Sequence, residues 1–289
     1  MKAHDFRGRA PVYQAVVFSL LILVIFIAVI PFLYVLLTSF ATKQEIITRG
    51  FFLIPKVWTT NAYSYLMDNR NFLTSFKNSV IITATGTTIS MVLTTLMAYG
   101  LSKTWLKGRN IINFMVLFTM LFSGGMIPLY LLVRGLHLLD SYWALFLTSA
   151  IAPFNLIVIR SSFQNFPIEI EESARIDGCS EFSMLWRIVI PLSMPVIATF
   201  TLFYTVEYWN SYFSAILYIN DSNKLPIQVF LRQMLIQPSE NMGASVEGLE
   251  FSPAVRMAAV VFTAAPLLIV YPFLQKYFNK GMLLGSVKG

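Results

Sequence analysis

The sequence predicts an all-α membrane protein with six transmembrane helices, a helical cytoplasmic loop and both termini in the cytoplasm. Of its 289 residues, 56% are hydrophobic and only 12% are charged, which is more apolar surface than a soluble core of this length buries. The apolar residues fall in six runs of about 20 residues, the length that carries a helix across about 30 Å of hydrocarbon. Basic residues flank these runs in a consistent pattern.

The positions of Lys and Arg beside the spans predict their orientation, because short basic segments stay on the cytoplasmic side of a membrane. The spans are residues 15–40, 78–101, 111–133, 142–159, 192–219 and 254–273. Basic residues precede span one, fill the short link between spans two and three, and follow span six. They are Lys2, Arg7, Arg9, Lys103, Lys107, Arg109, Lys276, Lys280 and Lys288. Both ends of the chain are therefore predicted to lie inside.

These boundaries divide the chain into three parts. Residues 1–14 form a cytoplasmic N-terminal segment, 15–275 form the six-helix membrane domain, and 276–289 form a cytoplasmic tail. Within the membrane domain, 160–191 is the longest cytoplasmic loop and 220–253 is a long external loop. The first apolar run is too long for a cleaved signal peptide, so span one is expected to be retained.

The composition disfavours several classes of function. The net charge of +7 arises from basic residues at membrane flanks and does not call for a nucleic acid partner. Cys179 is the only cysteine, and His4 and His137 are the only histidines, so neither an internal disulfide nor a typical zinc site is expected. We predict no catalytic residues, no metal site and no nucleic acid partner, and membrane lipid as the surroundings.

Small residues and prolines inside the spans predict a close-packed bundle with interrupted helices. Span two has small residues at four-residue spacing, which lets a neighbouring helix approach closely. These residues are Ser79, Thr83, Thr87, Ser90, Thr94 and Ala98. Prolines are expected to kink or break five of the six spans. They are Pro31, Pro128, Pro153, Pro195 and Pro266.

The longest cytoplasmic loop has the local chemistry of two short helices joined by a turn. Pro167 suits a first helical position, and Glu171 is placed to pair with Arg175 four residues later. Gly178 can stop this helix, and Ser180 can cap the next. Such a helical pair is shaped to sit in a groove of a partner protein. A loop lying on lipid is the alternative, which its five acidic residues disfavour because anionic lipid would repel them.

A longer pattern runs through this loop. Glu172-Ser173-Ala174 is followed by three residues, Gly178, nine residues, Ile188, one residue and Ile190-Pro191. This spacing resembles that of the EAA loop in permeases of ATP-binding-cassette importers, whose pattern is Glu-Ala-Ala, Gly, Ile and Leu-Pro at the same intervals. Ser173 for Ala and Ile190 for Leu are mild departures.

Other segments resemble the carbohydrate-uptake, or maltose-type, branch of that family. Trp209-Asn210, the long external loop and the Val287-Lys288-Gly289 ending match that branch. Phe122-Ser123-Gly124-Gly125-Met126-Ile127-Pro128 and residues 172–178 are similar to permeases for complex oligosaccharides such as alginate and pectin fragments. The resemblance covers nearly the whole chain.

The resemblance implies the permease subunit of an ATP-driven, binding-protein-dependent importer in the bacterial inner membrane. Its implied partners are a second homologous permease, forming a heterodimer, two ATP-binding-cassette ATPase subunits, and an extracellular or periplasmic sugar-binding protein. ATP and Mg would be bound by the ATPases, because this chain has no GxxxxGK[ST] phosphate loop; no cofactor and no enzymatic activity are expected here. The residues implied to couple to the ATPases are Glu171, Glu172, Ser173, Ala174, Asp177 and Gly178.

Span five carries the strongest candidates for contact with a transported molecule. Glu207 is a charged residue inside an apolar span, and such residues commonly line pathways. It begins a polar and aromatic stretch with Tyr208, Asn210 and Tyr212. Aromatic faces pack on sugars and polar groups bond sugar hydroxyls, so these residues and Asn155 are predicted to line a sugar path. Helix packing is the alternative role, and an ion-coupled secondary carrier that uses Glu207 is the alternative function.

Overall fold

The computed structural model describes residues 11–236 and 252–285, and this part of the chain consists of helices joined by turns and irregular segments. Side chains are described for all of these residues except 11, 12, 168 and 273–285. The helices are α1 (Pro11–Thr38), α2 (Lys43–Arg49), α3 (Asn61–Asp68), α4 (Arg70–Ser102), α5 (Arg109–Leu121), α6 (Met126–Gly135), α7 (Tyr142–Thr148), α8 (Pro153–Gln164), α9 (Ile168–Ile176), α10 (Glu181–Met184), α11 (Ile190–Leu192), α12 (Met194–Trp209), α13 (Phe213–Tyr218), α14 (Ile227–Ile236) and α15 (Pro253–Gly285). A π-helical turn joins α10 to α11, and a 3₁₀ turn precedes α14. This part of the chain contains no strand, which confirms the predicted all-α fold. The middle of the predicted external loop and the outer parts of both terminal segments lie outside it.

Long apolar helices and bent helix pairs are the candidate membrane spans of the described residues. Three continuous helical stretches are long and apolar enough to cross a membrane: Tyr13–Thr38, Arg70–Ser102 and Pro253–Pro272. Three bent pairs also qualify, α5 with α6 (117°), α7 with α8 (53°), and the α10–α11 segment with α12 (86°). If each pair is one span, the described residues hold six. The count of six and the orientation stay predictions.

The prolines divide into those that mark bends and those that do not. Pro153 and Pro195 lie in the first turn of α8 and α12, directly after a bend, and Pro128 lies in the first turn of α6. Proline fits there because the first helical N–H groups have no partner within the helix. Pro31 and Pro266 lie within α1 and α15, which run on without a break. Three of the five prolines predicted to kink or break their spans therefore lie at breaks, whereas the helices at Pro31 and Pro266 are not broken.

The first compact unit contains α1, α2, α3 and the beginning of α15. Ser39 Oγ and Tyr63 Oη share a hydrogen bond of 2.7 Å, which ties the end of α1 to α3. Glu45 accepts hydrogen bonds from the backbone N–H groups of Lys56 at 2.8 Å and Val57 at 3.3 Å. The bond from Lys56 is the main cause of the lowered pKa of the Glu45 carboxyl, because these donors stabilise its charged form.

The second compact unit contains most of α4 and all of α5 to α13. Its core joins Ile82 of α4, Leu145 of α7, Ile159 of α8 and Tyr204 of α12, each no more than 2% exposed. The small-residue stripe of span two is buried along its length, which confirms its predicted packing role. The exposed fractions are Ser79 1%, Thr83 8%, Thr87 8%, Ser90 0%, Thr94 0% and Ala98 0%.

Two exposed residues of the second unit allow the predicted orientation to be tested. In a Cys179→Ser background, a cysteine at Lys107 should react with a membrane-impermeant thiol reagent only after the membrane is opened, because the link after span two is predicted to lie inside. A cysteine at Ser222, on the segment predicted to lie outside, should react in intact cells. Both positions are exposed in the structure. Labelling of the Lys107 site from outside would overturn the orientation.

Candidate functional site

The segment from α9 to α11 forms the predicted pair of helices joined by a turn. Pro167 lies at the N-cap of α9 rather than at its first helical position. Gly178 has a positive φ of 78°, which a residue with a side chain rarely adopts. In the turn, Cys179 N donates to Ala174 O at 2.9 Å. Ser180 caps α10 by accepting a hydrogen bond from Ser183 N at 3.3 Å, as the sequence predicts.

The glutamates of this segment pair differently from the prediction. Glu171 does not pair with Arg175 on its own helix. Its Oε1 instead lies 2.6 Å from Nζ of Lys103, which follows α4. Arg175 pairs with Glu181 of α10 at 2.8 Å, and the Tyr99 hydroxyl donates to the same carboxylate at 2.6 Å. The predicted pair is wrong because tertiary partners outcompete a contact along one helix surface.

The predicted coupling residues differ in how exposed their side chains are. Glu172, Ser173, Asp177 and Gly178 are exposed, whereas Ala174 is only 7% exposed and packs into the core. The Ser173 hydroxyl donates to its own helix, and Glu171 faces Lys103. Exposed apolar residues on the same segment are Ile176 at 86%, Phe182 at 67% and Trp186 at 47%. These exposed apolar residues are not among the predicted coupling residues.

A small cavity lined by polar, aromatic and apolar residues lies at the end of α12, between that helix and α13. It has a volume of about 170 Å³. The lining residues are Leu145, Ser149, Glu207, Tyr208, Asn210, Ser211, Tyr212, Phe213 and Ser214. Four of the five predicted path residues are thus brought together. Asn155 is not among the lining residues and is 5% exposed in α8.

Glu207 and Asn210 present polar atoms at this cavity. Both side chains are exposed in the structure, and Asn210 Oδ1 accepts a hydrogen bond from Gln228 Nε2 at 3.2 Å. Tyr212 is partly buried at the beginning of α13. A carboxylate accepts hydrogen bonds, and an amide both donates and accepts them. The cavity can therefore bond hydroxyl groups while aromatic rings cover their apolar neighbours.

Two tyrosines of α12 hold its buried face to α4. The Tyr208 hydroxyl shares a hydrogen bond of 2.8 Å with Ser90, and the Tyr204 hydroxyl shares one of 2.8 Å with Thr94. Tyr204 also accepts a bond from Ala152 N at 3.0 Å, which satisfies a backbone group at the break between α7 and α8. Tyr208 is only 2% exposed. Its hydroxyl is therefore engaged in packing, while Tyr208 is also one of the residues that line the cavity.

A second polar cluster fixes the segment after α13. Asp140 accepts hydrogen bonds from the backbone N–H groups of Asn220 at 2.5 Å and Asp221 at 2.9 Å. The bond from Asn220 is the main cause of the lowered pKa of the Asp140 carboxyl because it stabilises the charged form. Asn78 of α4 donates to Asn223 O at 2.8 Å. The segment is held by side chains from two different parts of the second unit.

Metal-dependent chemistry has no candidate site in the described part of the chain. Residues 11–236 and 252–285 contain no group of three or more His, Cys, Asp or Glu side chains placed to hold a metal ion.

Interrupted apolar helices, a cavity with polar residues in its lining and an exposed pair of short helices are features of a multi-pass membrane transport protein. Residues 12–284 match the family described as binding-protein-dependent transport system inner membrane component, so the chain belongs to that family. The chain is therefore a permease subunit of a bacterial binding-protein-dependent importer, as its EAA-like loop implies.

Individual relatives agree with this assignment. The chain is 52% identical over 266 residues to Protein LplC of Bacillus subtilis, with 91% of this chain and 90% of that protein covered. It is 50% identical over 281 residues to the polygalacturonan/rhamnogalacturonan transport system permease protein YtcP of the same organism, with 96% and 98% covered. The structure matches a chain of a bacterial ABC transporter involved in the import of the acidic polysaccharide alginate, with a TM-score of 0.86, 32% identity, and 95% and 99% covered. None of these relatives supports the alternative of an ion-coupled carrier.

The contact between α4 and α12 can be tested at Gly86. A Cβ added there would lie 2.7 Å from the Tyr208 ring, so Gly86→Ala should destabilise the protein by about 1–3 kcal/mol through overpacking. Gly100→Ala on the same helix is the matched control, because its Cβ meets nothing within 4 Å, and it should gain up to about 1 kcal/mol of helix propensity. Thermal unfolding of the purified permease in detergent compares the two. Equal melting temperatures would contradict the close contact.

Proposed function

We propose that this chain forms one half of a membrane pathway for oligosaccharides, with the α9–α10 segment as the docking surface for ATPase subunits. The proposal rests on the side chains that this segment exposes, which are both charged and apolar. Glu172 and Asp177 are exposed beside Ile176, which is 86% exposed, and Phe182, which is 67% exposed. A short helix that offers apolar anchors with charges around them suits a groove on a partner protein.

The energy source is proposed to lie in partner subunits. This chain has no phosphate-binding loop of the GxxxxGK[ST] type, so ATP and Mg would be held by two ATPase subunits that dock on the α9–α10 segment. A second homologous permease would complete the pathway, as a heterodimer, and a sugar-binding protein outside the membrane would deliver the cargo. The family description, a component of a binding-protein-dependent system, supports this set of partners.

The cargo is proposed to be an oligosaccharide derived from a complex polysaccharide. One relative is described as a polygalacturonan/rhamnogalacturonan permease and another as part of an importer of alginate. The cavity at the end of α12 combines the Glu207 carboxylate and the Asn210 amide with the rings of Tyr208 and Tyr212. These groups can bond sugar hydroxyls and cover the apolar faces of the sugar ring.

The proposed mechanism is a mechanical switch between two states of access. ATP-driven closure of the ATPase pair would move the docked α9–α10 segment. Helices attached to that segment would then rearrange, so that the cavity opens to one side of the membrane at a time. The three bends between paired helices are places where such a rearrangement can occur, because broken helices are a recurring feature of transport sites.

The docking proposal is tested by reversing one exposed charge. Glu172→Lys should abolish uptake, because a basic group in the partner groove would be left without its carboxylate, at a cost of about 3–5 kcal/mol if the pair is buried. Uptake of a labelled pectin-oligosaccharide mixture, measured per assembled complex, provides the readout. Normal uptake with normally coupled ATP hydrolysis would be hard to reconcile with docking at this residue.

The turn beside the docking surface supplies a second test with a matched control. Gly178→Val should reduce uptake strongly, because a β-branched residue is a poor fit to the φ of 78°. Gly178→Asn should be far milder, since Asn tolerates this conformation. An added Cβ meets nothing within 4 Å at this position, so the backbone conformation alone separates the two variants. Equal loss in both would instead indicate that bulk at the partner surface matters.

The cavity proposal is tested by changing its polar atoms. Glu207→Gln and Asn210→Ala should each lower uptake about tenfold, in line with the loss of a hydrogen bond to a charged or buried polar group, without loss of assembled complex. Tyr212→Ala and Tyr208→Ala should also weaken uptake, as should Asn155→Ala if it reaches the path in another state. Uptake of the pectin-oligosaccharide mixture is divided by the amount of complex recovered by affinity purification.

Tyr208→Phe is the matched control for this series. It keeps the ring that lines the cavity and removes only the hydroxyl that bonds Ser90, so it should cost about 1 kcal/mol of stability and leave uptake per complex intact. Variants whose uptake falls only in proportion to lost complex would assign the altered residues to packing and remove them from the pathway.

A further inference from the structure

Lys103 is an unusually buried cation at the C-terminal end of α4. It is only 5% exposed, its Nζ lies 2.6 Å from Glu171 Oε1, and the same atom stands 4.3 Å from the centre of the Tyr99 ring. A lysine beside an apolar span is expected to extend into water or the lipid headgroups. Lys103 instead turns toward the α9 helix and is held between a carboxylate and an aromatic face.

Tyr99 makes a second connection from the same turn of α4. Its hydroxyl donates to Glu181 Oε2 at 2.6 Å, and Arg175 donates to the other oxygen of that carboxylate at 2.8 Å. Glu171 belongs to α9 and Glu181 to α10. Both helices of the docking segment are therefore fixed to the end of one long helix, each by a charged hydrogen bond.

The two ion pairs of this cluster differ in burial. The Arg175–Glu181 pair has side chains 45% and 41% exposed, whereas the Lys103–Glu171 pair has side chains 5% and 18% exposed. Exposed pairs are screened by water and contribute little. Removing one partner of a buried pair leaves a charge without compensation, which is strongly unfavourable. Lys103–Glu171 joins α9 directly to the end of α4 and is the more buried of the two pairs, so its loss should release α9 from this direct contact with α4.

The α4 helix continues from this connection to the rest of the second unit. It runs without proline from Arg70 to Ser102. Ser90 and Thr94 on its buried face bond the two tyrosines of α12. From Tyr99 to Ser90 the helix rises by roughly 14 Å. A displacement of α9 that is passed to α4 therefore reaches the helix that lines the cavity.

We infer that Lys103 is a positioning residue that transmits the movement of the docking segment to α4 through its buried ion pair with Glu171. Without this pair, α9 can move while α4 stays in place, so ATP is hydrolysed with less transport. The inference rests on the proposed function, because it requires a motor that docks on α9. It assigns Glu171 to a contact inside this chain and leaves Glu172 to face the motor.

The test measures transport per ATP hydrolysed in proteoliposomes that contain the complete importer and its binding protein. With the pectin-oligosaccharide mixture as cargo, Lys103→Met and Glu171→Gln should each lower this ratio about tenfold, within the range that coupling residues show. The exchanged pair, Lys103→Glu with Glu171→Lys, should recover most of the ratio. Lys107→Met removes the same charge from an exposed position four residues away and should keep the wild-type ratio.

A second measurement on the same purified complexes does not depend on cargo. Amide hydrogen exchange across residues 168–176 should rise in both single variants and fall again in the exchanged pair, because α9 opens more often when its anchor is lost. Single variants with wild-type exchange and a wild-type transport ratio would overturn the inference, as would an exchanged pair no better than the single variants. Absence of ATP-dependent uptake in the wild-type importer would overturn the proposed function instead, and hydrogen exchange would still decide whether Lys103 anchors α9.

Discussion

The close approach of α12 to α4 is the contact on which the second unit depends. Small residues on α4 leave room for whole tyrosine rings, and Gly86 lies so near Tyr208 that a single added carbon would clash with the ring. Within a membrane there is little hydrophobic gain from bringing helices together, so packing and hydrogen bonds must hold them. Ser90 and Thr94 provide both, because each is small and each carries a hydroxyl that bonds a tyrosine.

That contact also makes the interrupted helices tolerable. A break in a membrane helix exposes backbone groups that lipid cannot satisfy. At the break between α7 and α8, Ala152 N donates a hydrogen bond to the Tyr204 hydroxyl, and Ser149 O accepts one from the Ser90 hydroxyl. The same two helices that pack together therefore stabilise the irregular backbone beside the cavity. The same hydroxyl groups of Ser90 and Tyr204 hold the two helices together and bond the backbone at the break.

At the C-terminal end of α4, charged side chains hold neighbouring helices in place. Glu171 and Glu181 turn inward to Lys103 and Tyr99, while Glu172 stays exposed. One acidic cluster thus contains two kinds of carboxylate, since Glu171 and Glu181 hold α9 and α10 to α4 while Glu172 remains exposed, as the proposed docking requires. A rigid docking segment is what a mechanical coupling mechanism requires, because a loose one would absorb movement rather than pass it on.

The sequence by itself determined the helical membrane fold, the pair of short helices in the loop 160–191 and the membership of the chain in the permease family, because hydropathy, turn residues and the EAA spacing are all local. The buried stripe of α4 could be predicted for the same reason, from its four-residue period. Only the tertiary structure decided that Glu171 pairs with Lys103, 68 residues away, and that the Tyr208 hydroxyl is hydrogen-bonded to Ser90, 118 residues away. It also decided which prolines mark bends. These outcomes depend on how distant helices pack, and a local pattern does not specify which of several nearby charges or hydroxyl groups will be brought within bonding distance.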